Sequence, residues 1–297
     1  MFSEKFTIKS ATFGLAIFCL ALFGTSSAAN AQSSARFRVT LNGFTVNNQS
    51  DDDIFEGDGK GDEVYLRADT LKVSTAAGAQ SVKQTIKSIV LGDMNNQSGR
   101  GQAGSASAKG GLRTGDKFPA ATAQPWARGS ALATERPPML LWEGTLTQGV
   151  DGVEILPTIW EWDSPAQSRT EIDAADSLPF QLAGLERDFK TRISSRNTSA
   201  MFDAANFYPA GQGDAAQDPR GFFIGDDKSG TRPIGMLQGP RKFVFFLPQI
   251  LLLSYDSALA ASAAAPSNLG AGIFALRYKD NKDHGDYTLY IQVEKIN

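Results

Sequence analysis

The chain has 297 residues, 41% of them hydrophobic, 10% aromatic and 21% charged, a globular composition that excludes a wholly disordered, collagen-like or coiled-coil protein. Lys and Arg number 29 against 32 Asp and Glu, a net charge of −3 that argues against nucleic acid or an anionic lipid surface as partner. With one cysteine (Cys19) and one histidine (His284), a disulfide framework and a zinc centre of the usual Cys/His type are both excluded.

Residues 1–31 read as a secretory signal peptide. Lys5 and Lys9 precede an apolar run from Ala11 to Gly24, and Ala29-Asn30-Ala31 ends on small residues suited to cleavage after Ala31. The run is about 14 residues long, short of the roughly 20 that span a bilayer. A secreted or periplasmic location is therefore expected, with no transmembrane anchor after cleavage. Cys19 lies inside this run behind Ala16-Ile17-Phe18, which lack the small residue that a lipid-modified cysteine follows. Residues 32–297 are expected to form one cysteine-free domain held by its core alone.

Strict alternation is the clearest signal along that domain. Phe37, Val39 and Leu41 share one face of a strand over 36–42, and Arg36, Arg38, Thr40 and Asn42 take the other. Two more strands are expected over 63–73, where Val64, Leu66 and Ala68 share a face, and over 81–91. The stretch 95–138 is dominated by Gly, Ser, Ala and Gln, carries Pro119, Pro125, Pro137 and Pro138 and shows no periodicity, which predicts a long flexible insertion. Strands over 139–146 and 153–162 follow, joined by the turn Gln148-Gly149-Val150-Asp151-Gly152.

Leu178, Leu182, Leu185, Phe189 and Ile193 recur at helical spacing behind Asp176 and Ser177 as caps, and predict one amphipathic helix. The run Phe243–Leu253 is the most apolar of the domain; broken by Pro248, it reads as bent or paired buried strands. Ser257–Gly272 is alanine-rich, a short helix running into a loop. Phe274, Leu276 and Tyr278, then Tyr287, Leu289, Ile291 and Val293, alternate as the two arms of a hairpin. The expected fold is mainly β: an antiparallel β-sandwich with one amphipathic helix and a long insertion.

Two acidic segments stand out chemically. Asp51-Asp52-Asp53-Ile54-Phe55-Glu56-Gly57-Asp58-Gly59-Lys60-Gly61-Asp62-Glu63 lies between the first two strands, and Asp280-Asn281-Lys282-Asp283-His284-Gly285-Asp286 closes the last hairpin. Calcium takes six to eight oxygen ligands, and closely spaced carboxylates on a glycine-rich loop supply them. The helix-loop-helix calcium pattern fails, because Phe55 stands where an oxygen ligand is required. A cation shared between the two segments would draw on Asp51, Asp53, Asp58, Asp62, Asp283 and Asp286. Asp, Asn, Gly and Lys are equally the ordinary makings of exposed turns.

Nucleophilic catalysis finds little footing, since His284 sits in a polar turn and no Gly-x-Ser-x-Gly elbow exists to pair with it. Neither phosphate-cradling glycine pattern is present. Carboxylate chemistry stays open: Trp160-Glu161-Trp162-Asp163, with Glu143 beside Trp142, offers acids near aromatic platforms, the makings of a glycan hydrolase. On a strand, however, the two tryptophans share one face and Glu161 and Asp163 the other, so buried tryptophans would leave the acids simply solvated. The residues favour an exported binding or surface protein that recognises a protein or glycan by loops at one end of the sandwich, assisted by calcium. The alternative is the hydrolase, with Glu161, Asp163 or Glu143 as acid and base.

Overall fold

The alternation that begins at Phe37 extends well beyond Asn42. β1 runs Ser34–Asn48, and a register shift between Leu41 and Gly43 absorbs Asn42, so that Phe44 and Val46 stay on the face of Phe37, Val39 and Leu41. The computed structural model describes residues 32–50, 61–94, 99–120, 124–128, 131–162, 251–279 and 285–297, together with Lys190, Ile193 and strands at 216–217, 231–233 and 244–245. After β1 come β2 (Val64–Ser74), β3 (Val82–Gly92), β4 (Arg100–Gln102), β5 (Lys117–Phe118), β6 (Met139–Thr147) and β7 (Asp151–Trp162). The short strands β8 (Ala216–Gln217), β9 (Thr231–Pro233) and β10 (Val244–Phe245) precede β11 (Leu251–Ser254), β12 (Ile273–Lys279) and β13 (Asp286–Ile296).

These strands build two main sheets. In the first, β13 lies between β12 and β1, all antiparallel, and the other edge of β1 is shared by β6, opposite Ser34–Leu41, and β5, opposite Phe44 and Thr45. In the second the order is β11-β7-β2-β3-β4, with β9 continuing the β7 edge beyond β11. Among the described residues, β8 pairs only with β10. One apolar cluster joins the inner faces: Phe37, Val39, Leu41, Phe44 and Val46 of β1 meet Val64, Leu66 and Ala68 of β2 and Val153, Ile155 and Ile159 of β7. The Tyr278 hydroxyl crosses between the sheets and donates to the Pro157 carbonyl at 2.6 Å. This is the β-sandwich that period-two alternation calls for, with the apolar stripes facing inward.

A helix, α1 (Tyr255–Ala263), follows β11 directly, as the alanine-rich composition predicts. Ser254 caps it: its hydroxyl accepts from the Ser257 N–H, and the Ser257 hydroxyl accepts in return from the Ser254 N–H at 2.7 Å. The amphipathic helix expected over 178–193 lies almost wholly outside the described residues, of which Lys190 and Ile193 are helical and Ile193 is buried. No helix among the described residues is long and apolar enough to cross a membrane.

The insertion at 95–138 departs from the flexible segment that composition predicts. Over 99–120 it folds onto the sheets, burying Ala103, Leu112 and Phe118 in the core, with the Phe118 ring stacked 5.4 Å from that of Phe44. Its order comes from backbone hydrogen bonds rather than from a repeating side-chain pattern. Ala106 and Ser107 N–H donate to the carbonyls of Gly111 and Gly110, and Ala103 N–H to that of Gly92. Gly104 and Gly110 have φ of +87° and +113°, and an added Cβ would stand 2.0 Å from Gly111 O and 2.1 Å from Gly92 O respectively, so only glycine fits.

Candidate functional site

The two acidic segments leave the sandwich side by side. Asn48 at the end of β1 is paired with Asp286 at the start of β13, and Asp286 is paired in turn with Lys279 at the end of β12. Segment 51–60 therefore departs one strand away from the turn 280–284. Asp51, Asp53, Asp58, Asp283 and His284 lie outside the described residues; Asp62 and Asp286 lie within them.

Asp62 is 5% exposed and ties the foot of its segment down. Its carboxylate accepts from the Ser50 N–H at 2.9 and 3.1 Å and from the Tyr287 hydroxyl. Its main chain forms a reciprocal bridge with Leu112, both bonds at 2.9 Å. Chain entering and leaving the acidic segment is thus fastened to one carboxylate, to β13 and to the folded insertion. Ser50 Oγ is buried here with no hydrogen-bond partner among the described residues.

Asp286, 4% exposed, accepts from Arg277 through Nε at 2.9 Å and through Nη2, and from Asn47 Nδ2 at 2.9 Å. Hydrogen bonding and charge from Asp286 raise the already high pKa of the Arg277 guanidinium. Both carboxylates are thus engaged by donors of the protein itself. Among the described residues no three His, Cys, Asp or Glu side chains gather as a metal centre. The loop 112–118 closes the same end: Val46 N–H donates to Asp116 O at 2.9 Å, Gly115 N–H to Val46 O at 2.8 Å, and Gln49 N–H to Thr114 Oγ1 at 3.1 Å.

The residues considered for glycan hydrolysis are scattered. Trp160 is 3% exposed, with its indole N–H donating to Thr158 Oγ1 at 2.8 Å, so it is a packed residue rather than a sugar platform. Glu161 is in β7, opposite Val64 of β2, and Asp163 lies outside the described residues. Glu143 is on the other sheet, in β6, where its two oxygens accept from Arg36 and, at 2.6 Å, from Arg38. The hydrogen bond from Arg38, reinforced by the charges of Arg38 and Arg36, holds the Glu143 carboxyl below its ordinary value of 4.5. A general acid needs the opposite shift.

A feature that composition did not signal lies on the outer face of the first sheet. Residues 124–128 cross that face, and the half-buried Trp126 packs edge-on against Tyr290, ring centroids 5.6 Å apart. A single aromatic between Pro125 and Arg128 in a stretch otherwise poor in large side chains was the available signal. The chain matches no protein-family model, no curated protein and no solved structure.

Proposed function

We propose that the protein is an exported binding protein that recognises its ligand with the end of the sandwich from which segments 51–60 and 280–284 emerge, and that calcium held between these segments completes the surface. The observation that supports this is the pairing of Asn48 with Asp286 beside the Asp62 clamp, which sets the feet of both segments next to one another. In this reading Asp51, Asp53, Asp58 and Asp283 supply cation ligands. Asp62 and Asp286, whose oxygens already accept from Ser50, Tyr287, Asn47 and Arg277, are the anchors that fix where the ligands stand. An array of carboxylates on adjacent loops suits calcium, which takes many oxygens in adaptable geometry.

Thermal unfolding of residues 32–297 in EDTA and in millimolar calcium tests this. A cation bound only by the folded state at 100 times its Kd stabilises by about 2.7 kcal/mol, which raises the midpoint of a chain of this size by roughly 5–10 °C. The shift is expected to disappear in Asp58→Asn/Asp283→Asn. An unchanged midpoint in calcium would refute the cation.

A further inference from the structure

The outer face of the first sheet carries a preorganised arrangement that neither the core nor the acidic end requires. Beneath residues 124–128 lies a partly buried polar network: Thr40 Oγ1 donates to Asn42 Oδ1 at 2.9 Å, and Asn42 Nδ2 donates to Gln292 Oε1 at 3.0 Å and to the Trp126 carbonyl at 2.7 Å. Two residues on, Arg128 donates to Glu294 at 3.0 Å. Gly43 lets the loop descend, since an added Cβ would stand 2.7 Å from the Pro125 carbonyl. The main chain of Trp126 is thereby held by Asn42, its ring packs on Tyr290, and its side chain is only half-buried.

We infer that this face, centred on Trp126, is a binding site for a neutral carbohydrate chain. A pyranose ring offers a flat patch of C–H groups rimmed by hydroxyls, which calls for a rigid aromatic surface flanked by fixed donors and acceptors. Trp126 over Tyr290 supplies the first. Arg36 and Arg38 on Glu143, and Arg128 on Glu294, supply the second. Ala275, opposite Tyr290 in register and exposed, leaves room beside the aromatic pair. The three guanidiniums share two carboxylates, Arg36 and Arg38 both on Glu143 and Arg128 on Glu294, so each is ion-paired and the face carries one net positive charge. Because the loop is fixed before binding, little ordering is left to oppose association. The site is independent of the calcium reading, and none of the residues that build it belongs to the acidic segments.

The test is affinity electrophoresis of residues 32–297 in native gels cast with laminarin, xyloglucan, galactomannan or soluble starch, run in EDTA to exclude any cation effect. Retarded migration is expected in at least one gel, with Kd raised at least about tenfold by Trp126→Ala and near its original value in Trp126→Tyr, which keeps a flat ring. Ala275→Arg fills the space beside Tyr290 while leaving the indole in place, and must also abolish retardation; it decides the matter if Trp126→Ala does not fold. In the retarding polysaccharide, Trp126 fluorescence should be shielded from acrylamide. No retardation in any gel, retardation unchanged in natively folded Trp126→Ala or Ala275→Arg, or retardation only by a polyanion such as heparin would overturn the inference.

Discussion

Tyr278→Phe tests the tie between the two sheets. Pro157 sits in β7 in the gap between β11, which lies opposite residues 152–155, and β9, which lies opposite 160–162. A proline there forfeits no ladder bond on that edge, and its carbonyl is satisfied by the Tyr278 hydroxyl of the other sheet at 2.6 Å. The substitution keeps the ring and its packing, at 2% exposure, so the cost is that of a buried carbonyl deprived of its donor, about 1–3 kcal/mol. At about 2–4 °C per kcal/mol for a chain of this length, the midpoint should fall by roughly 2–12 °C. Burial pushes the Tyr278 hydroxyl far above its ordinary pKa of 10.0. The folded state therefore keeps the proton while the unfolded state releases it above about pH 10, and stability is lost as pH rises past that value. Tyr278→Phe should accordingly show a constant deficit from neutral pH to about pH 9 and a shallower alkaline decline than the parent. Calorimetry and urea unfolding at several pH values read both effects. A fall of less than about 1 °C would refute the claim that this hydrogen bond ties the sheets.

Asp62→Asn leaves one acceptor oxygen for the Ser50 N–H and the Tyr287 hydroxyl together, and is expected to destabilise by about 1–3 kcal/mol equally in EDTA and in calcium, as an anchor and not a ligand would. Gly104→Ala, whose Cβ would stand 2.0 Å from Gly111 O, should cost about 3 kcal/mol or more. Gly78→Ala, with φ of +77° but nothing within 4 Å, should cost only the conformational penalty of about 1 kcal/mol; equal midpoints for the two would contradict the packing described for the insertion. Glu143 is held below its ordinary 4.5 by Arg38 and Arg36, so its contribution is present above that pH and lost as pH falls. Glu143→Gln should therefore lower the midpoint slightly at neutral pH and flatten the acid limb of a midpoint-versus-pH curve, the two proteins converging as pH falls.

Much of the sandwich was legible because period-two alternation is local: β1, β2, β12 and β13 declare themselves by which residues share a face, and β6 and β7 are marked by the glycine turn between them. What alternation could not show was the bulge at Asn42, which lengthens β1, because a register shift is set by the partner strand. The insertion was opaque for a different reason. Its order over 99–120 rests on backbone bonds and glycine conformations, and these leave no periodic trace in composition. The candidate site was legible as two acidic segments but not in its division of labour. Asp62 and Asp58 look alike in sequence, and only the Ser50 N–H and the Tyr287 hydroxyl, one of them 225 residues away, mark Asp62 as an anchor. Trp160 shows the converse: it shares its face of β7 with Thr158, opposite Val153, Ile155 and Ile159 of the core, so alternation alone did not foretell its burial.

The pairing of β1 with β13 has a consequence for how the chain assembles. Asn42 and Gln292 are hydrogen-bonded neighbours separated by 250 residues, whereas β2 with β3 and β12 with β13 are hairpins that form from nearby chain. Loop closure over so long a span comes late. Until residues 286–296 have been synthesised, β1 keeps an open edge and Phe37, Val39 and Leu41 lack the cover of Val293 and Ile291. The first sheet is therefore closed by a strand made some 250 residues after β1, and a chain that has not reached it exposes the sticky edge that the folded domain hides in its centre.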